Sequence, residues 1–401
     1  MKSILNKVTF WRVVVAAIFV SGLYATWSRF FQGLAVSTHL NDRVPWGLWV
    51  GFSTLCGVGL SAGGFAIAAA VYILGMERYR PVMRAAVLIS FLGYLTVVTG
   101  MLYELGLPWR LWHPLIFWNH ASVLFEVAWC VMLYTTVLTL EFSPALAEKF
   151  LWPKARVWFE GITHRVLIGL VLVGILLSSC HQSFLGGLYL MTKDKLYPLW
   201  FSSNLPSLFF LSAIPSGLAL TVMALFLCVR SLHVRIDMSI LEEIGRVILW
   251  LLALFGVARL LDLIALQGSG GYLFALRPET GWFWMEFVLL VIGPVALLSR
   301  PSVRGNPLKL YFTCAMVVAG FISYRMNVAI TGMQASSGTY YFPKWTEFAT
   351  TALTVTAGIV VFREAVLHLD IFPKAPQVDD SELPLLLNSM VHHPPMSAGR
   401  A

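Results

Sequence analysis

Residues 206–229 read PSLFFLSAIPSGLALTVMALFLCV, twenty-four positions without a charge. At ~1.5 Å per residue this run reaches ~36 Å as a helix, enough to cross ~30 Å of hydrocarbon. Lipid offers no partner to open backbone groups, so a helix is the form such a run takes in a bilayer. Nine further runs share its character, and the expected spans are 10–31, 46–74, 81–103, 119–140, 164–187, 206–229, 240–266, 280–299, 308–330 and 346–367. Prolines such as Pro45, Pro81, Pro108, Pro206, Pro278 and Pro307 punctuate the span ends. The expected fold is all-α and polytopic, with ten transmembrane helices.

Composition agrees. The chain is 58% hydrophobic and 12% charged, about half the charged fraction of a soluble domain. Residues 1–370 read as one membrane domain. Residues 371–401, rich in Pro and polar residues, read as a flexible cytoplasmic tail in which His392 and His393 are solvated.

Loop charge sets the orientation. Nineteen Lys and Arg residues, among them Lys2, Arg78, Arg84, Lys149, Arg235 and Arg304, fall on one set of alternate loops and ends; six, from Arg43 to Lys344, fall on the other. Positive residues resist translocation, so the first side is expected to be cytoplasmic, with both termini inside. The formal charge of +8 is therefore an orientation signal. It forms no single stripe interleaved with exposed aromatics, so a nucleic-acid partner is not indicated.

Cys56, Cys130, Cys180, Cys228 and Cys314 lie in different spans without a CxxC spacing, which speaks against a protein-held iron–sulfur cluster or zinc site. No nucleotide-binding glycine fingerprint and no HExxH occurs. Ionisable residues inside the spans carry more information. Arg29, Glu126, Arg259, Asp262, Glu286, Arg325 and Glu347 all fall in the outer half once directions alternate. A charge in hydrocarbon costs at least ~2.5–3.5 kcal/mol, so these should face a shared interior as structural ion pairs or as a ligand or proton site. Arg259 and Asp262, three apart, can pair on one helix. Among the outer histidines, His120 and His181 are the pair that could meet a haem's demand for facing axial ligands. Gly59 and Gly63 form a small-xxx-small face that admits a helix or a flat ligand. The tryptophans at outer span ends read as an interfacial belt.

Several segments together carry a resemblance: VPWGLWV at 44–50, LSAGG at 60–64, GMERYRPVMRAA at 75–86, NHASVLFEVAWCVMLY at 119–134 with LEF at 140–142, HQSFLGGL at 181–188, YPLW at 197–200 and YFPKWTE at 341–347. The chain resembles the NrfD/polysulfide-reductase family of membrane subunits, in the HybB-like branch found with nickel–iron hydrogenases. The resemblance spans about residues 36–370. It implies two four-helix bundles, spans 2–5 and 6–9, with spans 1 and 10 outside. It implies a haem-free subunit of the bacterial inner membrane that binds menaquinone or ubiquinone. The implied partners are a periplasmic four-cluster ferredoxin-like iron–sulfur subunit and catalytic oxidoreductase subunits. In relatives the quinone pocket uses an Asn and a His early in the helix matching span two. Ser53 and Thr54 stand there in this chain. A Tyr at the outer end of the helix matching span five is replaced by His181.

The candidate site therefore comprises His181 and Glu126 as proton-handling groups. Asn119, His120 and Ser122 form a polar lining, Gly63 and Gly64 a flat wall, and Ser53, Arg259 and Asp262 are further candidates. A proton-coupled transporter and a di-haem cytochrome b anchor remain alternatives.

Overall fold

The computed structural model describes residues 10–44, 46–150, 152–266 and 269–372, with side chains for all of these except 153–160, 162–165, 193, 265–266 and 269–270. The expected tail from residue 373 on, Lys2, Lys7, Pro45 and the His164 side chain lie outside the described residues.

Ten long apolar helices are present among the described residues: α1 (Phe10–Gln32), α2 (Trp49–Tyr72), α3 (Glu77–Glu104), α4 (Val123–Phe150), α5 (Val166–Thr192), α6 (Leu205–Leu232), α7 (Met238–Ile264), α8 (Pro278–Leu298), α9 (Pro307–Ser337) and α10 (Trp345–His368). The same residues contain no β-strand, only an isolated bridge between Asn41 and Val44. The chain is a multi-pass integral membrane protein, as its hydropathy requires.

Two span boundaries differ from expectation. Hydropathy places span four at 119–140, but α4 starts at Val123 and continues to Phe150. Its start is fixed by Ser122, whose Oγ accepts from the Phe125 amide (3.4 Å) and whose carbonyl accepts from Glu126 (3.2 Å). The α-helix that carries the span α5 runs over Pro153–Leu188, so it starts well before residue 164. Both extensions carry charges, Glu141, Glu148 and Lys149 in one and Lys154, Arg156 and Glu160 in the other, and a helix leaving the bilayer can continue in water where hydropathy alone predicts a stop.

Helix neighbours follow from small residues. α2 packs on α3 and α5, and α4 lies against both α3 and α5. α6 packs on α7 and α9, and α8 touches both α7 and α9. α1 packs on α10, and α10 on α3. α2 and α6, the most enclosed helices, also pack on each other. At their crossing a Cβ on Gly63 would stand 2.4 Å from the Gly217 carbonyl oxygen, and one on Gly217 would stand 2.3 Å from the Gly63 nitrogen. Only glycine at both positions lets the backbones come this close. α2 and α3 are joined similarly, with Ser53 against Gly100, Ser61 against Gly93, and the Gly64 amide donating to Ser90 Oγ (3.0 Å).

Each end of the bundle has its own polar network. On the basic face, Arg78 bonds Glu243 and Ser239, Arg84 bonds Glu148 (2.6 and 2.9 Å) and the Asp370 carbonyl (2.8 Å), and Lys149 bonds the His368 carbonyl (2.6 Å). On the charge-poor face, buried Arg29 donates to the Tyr103 and Leu105 carbonyls at the C-terminus of α3 (2.6 and 2.5 Å). That helix end carries the negative pole of the dipole, which suits a cation. The VPWGLWV and YFPKWTE segments meet here. Tyr341 Oη donates to Glu347 (2.5 Å) and accepts from the Leu48 amide (3.0 Å), and Trp49 Nε1 donates to Thr350 (2.9 Å). Burial and the Glu347 carboxylate raise the Tyr341 pKa, so the hydroxyl stays a donor.

Five π-helical turns occur among the described residues: Ser28–Gln32, Trp49–Cys56, Asp262–Leu266, Val288–Ile292 and Asn327–Thr331. Each lies toward the charge-poor face and contains, or closely follows, a buried polar residue: Arg29, Ser53, Asp262, Glu286 or Asn327. Such single wide turns recur at functional sites, and hydropathy gives no sign of them.

Candidate functional site in the membrane interior

Two buried polar clusters sit inside the protein, and their hydrogen bonding differs. The first spans α6 through α9 and the loop before α6. Trp200 Nε1 donates to both oxygens of Glu286 (3.1 and 3.2 Å), and Asn327 Nδ2 donates to Glu286 Oε2 (2.5 Å). Arg259 donates to the Leu199 carbonyl (2.5 Å), and Asp262 accepts from Asn204 Nδ2 (3.0 Å). The atoms these two leave over, Arg259 Nη1 and Asp262 Oδ2, face each other at 3.7 Å as an ion pair. Arg325 donates to the Phe209 carbonyl (2.8 Å) and Ser212 Oγ (3.2 Å). Its Nε and Nη1 make no hydrogen bond, but the guanidinium lies 3.4 Å from the Phe209 ring centroid and 4.8 Å from that of Phe321. Each charge here thus has a hydrogen bond plus an opposite charge or an aromatic face. A network of this kind ties α6, α7, α8 and α9 into one arrangement. Arg259 and Asp262 belong to it and lie on a different set of helices from His181.

The second cluster lies between α3, α4 and α5. His181 is fully buried seven residues before the end of its helix at Leu188, ~10 Å along the axis. Its Nδ1 is 2.9 Å from Tyr94 Oη on α3. The Tyr94 ring makes an edge contact with Tyr134 on α4, with centroids 4.6 Å apart. His181 Nε2, Tyr134 Oη, Ser178 Oγ and both amide atoms of Gln182 are buried without a hydrogen-bond partner. Ser178 stands beside both the Tyr94 and the Tyr134 side chains, and the His181 ring lies 5.7 Å from that of Tyr94, centroid to centroid. Each unpaired buried group costs about 1–3 kcal/mol, which water or a ligand at this cluster would recover. The helices bring the side chains together because 178, 181 and 182 lie within four residues on α5, while Tyr94 and Tyr134 stand at mid-depth on facing helices.

The other candidates are placed as follows. Glu126 is half-buried in the first turn of α4, near Cys130, which in turn neighbours Cys180 beside His181. Asn119 and His120 precede α4 and are exposed, and Ser122 caps it. His120 packs against Trp118 and Phe125, so it does not face the deeply buried His181 as a second axial ligand would. Ser53, Gly63 and Gly64 have their faces filled by α3 and α6, as the close approaches above require. No group of three or more potential metal ligands occurs among the described residues. Tyr94, Tyr134, Ser178 and Gln182 are not singled out by the sequence. The adjacent polar pair His181–Gln182 inside an apolar run is the one local signal that points to them.

The ten apolar helices define a multi-pass membrane protein whose buried polar groups gather in two clusters. The chain belongs to the polysulphide reductase NrfD family, whose model matches residues 36–336. It is 31% identical to the probable Ni/Fe-hydrogenase 2 b-type cytochrome subunit of Escherichia coli over 88% of this chain and 89% of that protein. It is 28% identical to the menaquinone reductase integral membrane subunit of Nitratidesulfovibrio vulgaris over 94% of both chains. Similarity extends to the Hdr-like menaquinol oxidoreductase integral membrane subunit of Archaeoglobus fulgidus, at 23% identity over 72% of this chain and 70% of that one.

Proposed function

We propose that this chain is the quinone-binding integral subunit of a respiratory oxidoreductase complex, with a nickel–iron hydrogenase as the favoured catalytic partner. The unsatisfied cluster around His181 carries the proposal. A quinone brings two carbonyl acceptors and, once reduced, two hydroxyl donors, which match a site offering both kinds of partner. His181 and Tyr94 would hold one quinone oxygen. Gln182 and Ser178 supply further donors, and Glu126, toward the charge-poor face, would handle a proton. The names of the hydrogenase and menaquinone reductase relatives support this assignment. Helix neighbours support two four-helix bundles, α2–α5 and α6–α9, with α1 and α10 outside.

In this scheme electrons arrive from a periplasmic four-cluster iron–sulfur subunit, and the chain holds no redox centre. One relative carries the word cytochrome in its name, so a di-haem anchor is the competing reading. A visible absorption spectrum of the purified complex separates the two. The principal test is quinone turnover in His181 and Glu126 variants.

The location proposed is the bacterial inner membrane, with both termini cytoplasmic. Reporter fusions after residues 105, 190 and 272 are expected to read periplasmic, and those after 78, 154 and 304 cytoplasmic. An inverted pattern would place the electron donor on the wrong side.

The donor is proposed to dock on the charge-poor face, where Trp109, Trp112, Tyr340 and Phe342 are exposed among few charges. Crosslinks from the iron–sulfur subunit should map to loops 32–45, 104–118, 188–205, 267–279 and 331–345. Crosslinks confined to the basic-face loops would remove this docking arrangement.

A further inference from the structure

The cations of the basic face fall into two groups. Arg78, Arg80, Arg84, Arg246 and Arg363 pair with Glu243, Glu77, Glu148, Glu242 and Glu364 respectively. Arg230, Arg235, Arg300 and Lys309 have no ion pair and no side-chain hydrogen bond among the described residues. All four stand in the two basic-face connections of the α6–α9 group, 230–238 and 299–309. These connections hold five Lys or Arg residues and one acid, Asp237, which caps α7 by accepting from the Ser239 amide (2.9 Å). The fifth cation, Arg304, is buried and donates to the Leu298 carbonyl. Unpaired like charges repel one another, and an anion from outside the chain would relieve this.

The surface beside two of these cations is an apolar seam. α6 and α9 pack on each other, and near their basic ends the Phe226 and Tyr311 rings lie 4.8 Å apart, centroid to centroid. Arg230 stands one turn beyond Phe226 on α6 and shares a face with exposed Leu227, three residues before it. Lys309 stands two residues before Tyr311 on α9 and shares a face with exposed Phe312, three residues after it. Both cations therefore lie ~3–6 Å nearer the basic face than the aromatic pair. Leu227, Leu308 and Phe312 are exposed where the spans meet lipid. The left-handed turn at His233 (φ 55°) and the Val234 amide, which donates to the Cys228 carbonyl (3.4 Å), hold the 230–235 connection against the end of α6.

We propose that this seam between α6 and α9 binds an anionic phospholipid of the basic-face leaflet, with Arg230 and Lys309 on its headgroup phosphate and an acyl chain along Leu227, Tyr311 and Phe312. Both long side chains reach from a span end to headgroup level while their stems cover apolar surface. The lipid's net negative charge does what the glutamates do elsewhere on this face. A zwitterionic lipid carries its own cation and adds no net counter-charge. A soluble anion lacks the chains that cover Leu227 and Phe312. The inference is independent of the quinone-site reading, since it concerns the other helix group.

The test uses the complete complex, delipidated in detergent, and a fluorescent phosphatidylglycerol as probe. Unlabelled dioleoylphosphatidylglycerol should displace the probe, while dioleoylphosphatidylcholine and glycerol 3-phosphate should not. Arg230→Gln and Lys309→Gln should each weaken binding roughly 5-fold, and the double variant roughly 25-fold. Arg246→Gln removes a cation already paired on the same face and should leave the affinity unchanged. In the unmodified complex, phosphatidylglycerol with a photoreactive acyl chain should label peptides covering 226–230 and 308–312. Wild-type affinity in the double variant, or an equal loss in Arg246→Gln, overturns the site. Equal displacement by phosphatidylcholine or by glycerol 3-phosphate overturns the anionic lipid as its occupant. Photolabelling absent from both peptides overturns the proposal without reference to any variant.

Discussion

Replacing His181 with Ala lowers electron transfer to quinone on the order of 10²-fold, while assembly and dye reduction at the catalytic subunit persist. The effect is large because His181 is fully buried and bonded to Tyr94 on one nitrogen, leaving the other to face the site. Alanine removes both the donor and the group that orients Tyr94. The loss should appear in turnover at saturating quinone as well as at low quinone. Glu126→Gln, which keeps the shape and removes the titrating oxygen, should also slow turnover sharply. If both variants assemble and reduce quinone at the normal rate, the pocket lies elsewhere, and the cluster on α3–α5 is structural.

Gly63→Val is expected to prevent stable assembly, and Gly217→Val likewise. A Cβ at either site meets backbone of the facing helix at 2.3–2.4 Å, and backbone cannot rotate away as a flexible side chain can. α2 and α6 must separate, which breaks contacts along the two most enclosed helices. Overpacking of this kind costs on the order of 3 kcal/mol. Gly187, where an added Cβ meets nothing within 4 Å, serves as the control, and Gly187→Ala should leave the melting temperature in detergent nearly unchanged. Equal stability of Gly63→Val and Gly187→Ala would show that the crossing is looser than this packing.

The ten helices were legible because the bilayer imposes a length and a hydropathy on each span, and both are local properties of the chain. Residues 206–229 needed no tertiary information to be read as a span. The loop-charge asymmetry was equally local, and the basic face of the structure gathers Arg78, Arg84 and Lys149 as alternation required. Sequence also singled out His181, as an outer-side histidine and through the place that the family resemblance gives it. It placed the ends of α4 and α5 poorly, because hydropathy marks where the membrane stops and not where a helix does.

Only the tertiary structure decided which polar residues meet. Gly63 and Gly64 look alike in sequence, yet one faces Gly217 on α6 and the other Ser90 on α3. The VPWGLWV segment at 44–50 and the YFPKWTE segment at 341–347 lie far apart in the chain and share a hydrogen bond from Leu48 to Tyr341. Arg259, Asp262 and Glu286 are, like His181, polar groups inside spans, and it is their partners that set them apart. The difference is one of satisfaction: a buried group's free energy depends on the atoms opposite it, and those come from other helices.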